Sequence, residues 1–321
     1  MKTAVLQDNE NMKSKNSMMR KQGETMLIQK MRNYLYKKAS LYRKLSIFYY
    51  LYFYPLPYKI LYLKKAHGKT VFFYPSRPHP MEILYKVFHL SGYRITDNPN
   101  VKADIVVNYE DTTVRTRNDI AKYLKGNQYV INRYCTDIRK EKVEVMFRRV
   151  FGYGLKINPQ THKGNYIKKS NLNAMHDGVV LTVPKKPQRG YVYQKVVNNQ
   201  IKDTVLDFRA PFIIGTIPFV YLKYRPVETR FSNTNRYAKI TNTKNVFSQN
   251  EIEKIRKFCK LMGLDYGELD ILRDNDDKRI YIVDVNNTPS GPPNHIQKGD
   301  YWKALTIITD TLLDRISENK Q

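Results

Sequence analysis

The stretch Asp265–Pro289, DYGELDILRDNDDKRIYIVDVNNTP, sets carboxylates and amides on otherwise apolar strands. Glu268–Arg273 and Arg279–Asn286 read as two strands joined by the polar turn Asp274–Lys278. Side chains alternate across a strand, so Asp284 and Asn286 share one face, as do Glu268 and Asp270. A hairpin with so short a turn brings Asp270 or Glu268 opposite Asp284. Like charges directly opposite each other are destabilising. A bound cation relieves that, and hard oxygen donors suit Mg²⁺. The plain alternative is a hairpin with a solvated acidic edge.

Cations with usable spacing lie upstream. Lys168 and Lys169 end the run Tyr166–Lys168 and its continuation, and alternation lets only one of them face a site. Lys223 and Arg225 are two apart in a strand-like run and share a face, with Arg230 soon after. Three cations converging on an acidic metal site would suit a triphosphate, because arginine clamps phosphate with a two-pronged fork. The alternative is scattered surface charge. Asp207 and Arg209 also share a face and read as an ion pair. His176, His295 and the preceding Asn294 flank the acidic hairpin in sequence. Arg77, His79 and Asp111 fall in loops at strand ends, which face ligands in parallel sheets; solvated loop residues are the blander reading. No Ser–His–Asp or Cys–His set is visible.

The elements that must position these groups come in two styles. Over residues 69–131, Thr70–Tyr74 and Asp104–Asn108 are apolar strands, Met81–Ser91 is a helix ended by Gly92, Ile120–Leu124 looks helical and Tyr129–Asn132 is a strand. This alternation predicts a small parallel α/β domain. No Gly-x-Gly-x-x-Gly follows its first strand, which argues against a dinucleotide site. Residues 132–321 read as an antiparallel-rich α+β domain. It has a helix at Lys142–Phe151 and strands at Tyr166–Lys168, Val179–Val183, Tyr191–Val197, Thr204–Phe208 and Phe219–Tyr224. A second helix, Ser248–Met262, carries a capping box (Ser248 with Glu251) and ends at Gly263.

The 321-residue chain is basic: 56 Lys and Arg against 29 Asp and Glu give +27, beside 26 tyrosines. Its 41% hydrophobic content excludes a wholly disordered chain, and two cysteines exclude a disulfide scaffold and point to a reducing, cytoplasmic setting. Residues 1–70 hold 15 basic and three acidic side chains. Residues 1–25 read as a disordered lead-in. Residues 26–68 interleave Lys and Arg with Leu, Ile, Tyr and Phe, and Leu45–Leu63 contains one charge, Lys59. Pro55, Pro57 and the tyrosines disfavour a straight membrane span. The segment reads either as an in-plane amphipathic anchor on an anionic leaflet, making the chain peripheral on the membrane, or as a helix packed on the main domain.

Leu269-Asp270-Ile271 followed by Ile282–Pro289 (IVDVNNTP) resembles the metal-binding end of the ATP-grasp superfamily, in which an acid and an acid-x-Asn hold Mg²⁺ on the phosphates of ATP. Upstream runs fall in the family's order. Tyr166–Ser170 (YIKKS) resembles the strand whose lysine, Lys168 or Lys169, contacts phosphate. Tyr193–Val197 (YQKVV), with Gln194, Lys195 and Val196, resembles the linker that meets adenine through its backbone. Phe219–Arg230 (FVYLKYRPVETR) resembles the strand and loop that bring Lys223, Arg225 and Arg230 to the triphosphate. The unit at 69–131 resembles the domain preceding the grasp. The resemblance spans about residues 70–296. Two features depart from it: Asp284 stands where Glu is commoner, and Asn173–Gly178 (NAMHDG), at the place of the phosphate loop, has one glycine.

The resemblance implies an ATP-grasp ligase with ATP and Mg²⁺ as cofactors. Asp270, Asp284 and Asn286 would hold the metal. Lys168, Lys169, Gln194, Lys195, Val196 and Lys223 would bind nucleotide, and Arg225 and Arg230 would serve catalysis. The substrates would be a small-molecule or peptide carboxylate and an amine or other nucleophile, with Asn294 and His295 placed to touch the acceptor. The alternatives are a kinase of the same fold and a non-catalytic basic protein that binds nucleic acid or an anionic membrane, with tyrosines as stacking platforms. A polynucleotide binder, however, has no need of carboxylates on apolar strands.

Overall fold

Consecutive apolar residues make a strand that must be covered on both sides. Thr70–Pro75 (TVFFYP, β1) is one. In the computed structural model, which describes residues 68–117, 119–124, 128–232 and 234–318, β1 pairs in parallel with β2 (Arg94–Thr96) and with β3 (Ile105–Tyr109). β3 in turn pairs with β4 (Val130–Ile131). Phe73 meets Phe88 of α1 (Ile83–Leu90) edge-on, 5.8 Å between centroids. Phe72 and Tyr74 face the other way, into a cluster with Val106, Ile120 and Val130. The parallel α/β unit is thus as expected, except that Ile120–Tyr123 is a single 3₁₀ turn.

The remainder is antiparallel. α2 (Lys140–Phe151) leads to a three-stranded sheet in which β5 (Tyr166–Ser170) lies between β6 (Val179–Leu181) and β7 (Tyr191–Lys195). The larger sheet is built on β9 (Thr204–Ile213), whose start pairs with β8 (Gln200–Ile201). β9 is flanked by β10 (Val220–Pro226) and β12 (Tyr266–Arg273), with β11 (Tyr237–Thr241) outside β10 and β13 (Ile280–Asn286) outside β12.

One face of this sheet is apolar. Phe208, Ala210 and Phe212 of β9, Val220 of β10, Leu269 and Ile271 of β12 and Val285 of β13 enter a core with Val143 and Phe147 of α2 and with Ile255 and Phe258 of α3 (Gln249–Met262). α3 has the expected capping box: Glu251 N–H donates to Ser248 Oγ, and Ser248 N–H donates to the Glu251 carboxylate. A last helix, α4 (Lys298–Glu318), packs against α1, β9 and β11. Among the described residues no helix is long and apolar enough to cross a membrane. The lead-in at 1–25 and nearly all of the basic aromatic segment at 26–68 lie outside the described residues.

Candidate active site

With Phe208, Ala210 and Leu269 turned to the core, strand alternation puts the intervening residues on the opposite face. Pairing then fixes who stands beside whom. Tyr221 is opposite Arg209, Arg209 opposite Asp270, and Asp270 opposite Asp284, a row across four strands. The next row runs Pro211, Glu268, Asn286. On the other side Lys223 is opposite Asp207. Asp270, rather than Glu268, is therefore the residue facing Asp284.

A bulge makes this arrangement feasible. Ile271 pairs with Ile282 and Asp270 with Asp284, so Val283 is an extra residue on β13. In strict alternation Ile280 and Ile282 would share the face of Asp284. The bulge turns both isoleucines into the core and leaves Asp284 and Asn286 on the polar face.

Cations surround the two carboxylates. Arg209 holds Asp270 with two hydrogen bonds, Nε to Oδ1 at 2.9 Å and a terminal nitrogen to Oδ2 at 3.1 Å. Lys223, 1% exposed, donates to Asp270 Oδ1 at 3.0 Å. Burial alone would raise the Asp270 carboxyl, but Arg209 and Lys223 hold it well below the usual range. Asp284 is raised by burial, against the pull of Lys140 and Lys169 and with the push of Asp270. Lys140 Nζ is 3.8 Å from Asp284 Oδ2, and Lys169 Nζ donates to the carbonyl of the bulged Val283 at 3.4 Å. Burial lowers Lys169 and Lys223 to about 8. Glu268 is pushed up by burial to about 7, opposed by Arg209 at 3.6 Å.

Not every expected residue joins this cluster. Lys168 points away: its Nζ donates to Gln188 Oε1 and lies 4.1 Å from the Tyr191 ring centre. Lys195 is also a correction. Its backbone N–H donates to Leu155 O, and its ammonium is held 3.1 Å from both Asp274 and Asp277, so neither is left for adenine. Gln194 is buried in β7, and Val196 follows where the ladder ends. Lys223 reaches Asp270, while Arg225 and Arg230 meet each other further out, Arg225 donating to Arg230 O at 3.1 Å. Arg225 pairs with Asp207 at 2.9 Å, and Arg230 donates to Val197 O and Asn199 Oδ1 beyond β7. The reason is register: Arg225 stands opposite Val205, one row further from Asp270 than Lys223. The expected Asp207–Arg209 pair is likewise replaced, by Arg225 with Asp207 and Arg209 with Asp270.

The loop after β3 joins the site's parts. Thr288 Oγ1 donates to Asp111 at 2.8 Å, Thr288 N–H donates to Asn286 Oδ1 at 3.0 Å, and Asn173 N–H donates to Thr113 Oγ1 at 2.9 Å. Asp111 thus reaches the hairpin. Arg77 stays at the surface, 3.8 Å from Asp97, and His79 caps its own turn. In the loop at 173–178, Ala174 and His176 take the left-handed conformation that the missing glycines would have favoured. His295 takes it too, and its carbonyl accepts from Ala238 N–H. Sequence reasoning misses Lys140; its only local signal is a lysine in the first turn of α2, where a cation is disfavoured by the helix dipole.

No family model matches the chain, and no curated relative matches it. Solved structures do. An ATP-grasp ligase, PsnB, in complex with a phosphomimetic variant of its minimal precursor, Mg and ADP, superposes over 80% of this chain and 100% of its own, at a TM-score of 0.51 and 12% identity. The chain has the ATP-grasp fold. Two other similar structures are the macrocyclase MdnC bound with precursor peptide MdnA from Microcystis aeruginosa MRC (TM-score 0.44, 13% identity, 76% of this chain and 99% of that one) and the D-cycloserine synthetase DcsG (0.48, 9%, 78% and 100%).

In an ATP-grasp frame, the residues fit a nucleotide-borne Mg²⁺. Two carboxylates and an amide oxygen lie on adjacent positions of one face, and burial raises the Asp284 carboxyl against the pull of Lys140 and Lys169. No set of three acidic, histidine or cysteine groups is assembled among the described residues.

Proposed function

We propose that the chain is an ATP-dependent ligase that activates a carboxylate and joins it to an amine or another nucleophile. The observation that carries this is the row Arg209–Asp270–Asp284 beside Asn286, ringed by Lys140, Lys169 and Lys223. Asp270, Asp284 and Asn286 would hold Mg²⁺, which when bound supplies neutralisation of phosphate charge. Lys169 and Lys140 stand beside Asp284, where they can neutralise phosphate oxygens on the three-stranded-sheet side. Val196 is the linker residue left to meet adenine through its backbone, since Val197 O, Asn198 O and Asn199 N–H are already bonded. Arg230 fixes that segment through Val197 and Asn199, a positioning role in place of the expected phosphate contact. Arg225 locks Asp207.

The reaction balances simply. A carboxylate oxygen of the substrate attacks the γ-phosphorus of ATP, the bond to the bridging oxygen breaks, and ADP leaves. The nucleophile then attacks the acyl carbon, inorganic phosphate leaves, and the attacking atom gives up its proton. No protein nucleophile is needed, so the lack of a visible Ser–His–Asp or Cys–His set is no obstacle. Electrostatic positioning does the work.

Pools of carboxylates and amines, incubated with ATP and Mg²⁺, test this. ADP and phosphate should appear only when both pools are present. ADP formed with a stable phosphorylated product and no need for a nucleophile would indicate a kinase. Tight polynucleotide binding with no nucleotide turnover would return the chain to the binding-protein reading.

A further inference from the structure

The parallel sheet has the strand order β2-β1-β3-β4. β1 runs on through α1 to β2 at one edge, and β3 runs on through the 3₁₀ turn Ile120–Tyr123 to β4 at the other. α1 covers the face of Phe73, and Ile120 covers the opposite face, with Phe72 and Tyr74. The chain thus leaves two neighbouring strands in opposite directions. Such a pair opens a crevice at its carboxyl ends, where ligands of open α/β sheets bind.

A cleft of about 460 Å³ lies there, lined by Tyr74, Thr116, Arg117, Asp119 and Tyr123. Small-molecule sites measure roughly 300–1,000 Å³. Tyr74 is the penultimate residue of β1, and its ring lies 5.1 Å from that of Tyr123, centre to centre. Its hydroxyl donates to Asp119 Oδ1. Burial, and then that carboxylate, raise the Tyr74 phenol, so it stays a neutral donor. Asp119 also lies 3.6 Å from the Lys122 ammonium. Glu110 shapes the facing wall: it accepts from Thr116 N–H at 3.1 Å, from the Thr116 hydroxyl at 2.7 Å and from Arg117 N–H at 3.5 Å. The exposed Arg117 guanidinium itself has no hydrogen bond or ion pair among the described residues.

We propose that this cleft is a second ligand site, for a small organic anion that carries a planar ring. The charges decide the sign. Asp119 is already met by a hydroxyl and an ammonium, whereas Arg117 is unmatched. An anion fills that gap through the two-pronged fork that arginine offers to carboxylate or phosphate. A cation would find Asp119 taken and Arg117 opposed. A neutral ring could stack on the tyrosines but would leave the guanidinium unmatched. A bare anion would leave the rings uncovered. The loop that forms the wall also carries Asp111 to Thr288 and Thr113 to Asn173, so the cleft is built on a segment bordering the candidate nucleotide site. None of its five lining residues is assigned to nucleotide or metal, so the proposal stands apart from the ligase reading.

The test reads binding without turnover. Calorimetry on the full chain would use phenyl phosphate and indole-3-acetate as probes. Phenol and indole-3-ethanol are the neutral controls, and inorganic phosphate and acetate the ringless ones. At least one probe should bind, which tells phosphate from carboxylate, and its controls should bind at least about tenfold more weakly. Arg117→Met, at an exposed position, should weaken that probe by at least about tenfold, and Tyr123→Leu severalfold. Saturating Mg·ADP should leave the affinity within about twofold, as independent sites require. Displacement by Mg·ADP would put the probe in the nucleotide site and overturn the assignment. Controls that bind as well as the probe, no binding of either probe, or an affinity unchanged in Arg117→Met would overturn it too. Failure of the chain to bind Mg·ADP would count against the ligase reading alone.

Discussion

Asp284 is the carboxylate whose removal tests the site most directly. It is opposite Asp270 and beside two lysines, Lys140 and Lys169. Asp284→Ala should abolish Mg²⁺-dependent ATP binding, measured by calorimetry, while the far-ultraviolet spectrum and cooperative unfolding persist. Unaltered binding in that variant would remove Asp284 from the metal site. The juxtaposition of Asp270, Asp284 and Asn286 was legible because a short turn fixes the pairing of a hairpin. Glu268, in the same stretch, was legible as acidic but not as buried without a hydrogen bond, since that is a matter of three-dimensional neighbours. Lys140 was hidden for a similar reason: it lies 144 positions from Asp284, and nothing local marks a lysine that will fold beside a distant acid. Arg225 and Arg230 were read as phosphate ligands because they are cationic and close in sequence, whereas Asp207 and Asn199 claim them first.

At the level of strands, most of the sheet was readable from apolar runs and turns, but the bulge at Val283 was not. Ile280, Ile282, Asp284 and Asn286 share one parity, so alternation alone gives a mixed strand with no consistent face. One extra residue resolves it. The close packing of this hairpin shows at Gly267, where an added Cβ would sit 2.5 Å from the backbone oxygen of Asn286. That contact is to backbone and cannot be relieved by turning a side chain. Gly267→Ala should therefore force β12 and β13 apart at Asn286. The expected outcome is a loss of roughly 1–3 kcal/mol of stability in urea titration, with a larger fractional loss of Mg²⁺-dependent ATP affinity. An alanine variant with wild-type stability and affinity would show that the strands have room to spare. α4 escaped the sequence reading although Trp302, Leu305, Ile308 and Leu312 have helical spacing, because the chemistry in the sequence ends before it.

Across the whole molecule, the small parallel sheet holds the chain that leaves the acidic hairpin. Ile83 N–H donates to Pro289 O, Asp111 accepts from Thr288, and Lys86 reaches Gly291 O. Burial lowers Lys86 to about 8, below its value in an unfolded chain. Below pH 8 both states carry the proton and the folded state bears the full cost of a buried charge. Between about pH 8 and 10.5 the folded state sheds it while the unfolded state keeps it, so this contribution to stability improves as pH rises. Lys86→Met lacks the effect. Its stability relative to the wild-type chain should fall by on the order of 2 kcal/mol from pH 7 to pH 10, read from paired denaturant titrations. A constant difference would mean that Lys86 is neutral or solvated throughout. The other whole-molecule expectation concerns residues 26–65, which precede every residue assigned to the site. Lys30, Arg32, Lys37, Lys38, Arg43 and Lys44 form a basic cluster ahead of the aromatic stretch at 45–63. Each such cation near an anionic leaflet is worth on the order of 1 kcal/mol, and apolar burial adds to it. The full chain should sediment with phosphatidylserine-containing vesicles, lose most of that binding at high salt, and ignore neutral vesicles. Removing residues 1–65 should abolish sedimentation and keep Mg·ATP binding, because Lys140, Lys169, Arg209, Lys223, Asp270 and Asp284 all remain. If the shortened chain sediments equally well, the membrane surface is met by some other basic face. If it no longer unfolds cooperatively, residues 26–65 belong to the core, the alternative that their helical spacing also allows.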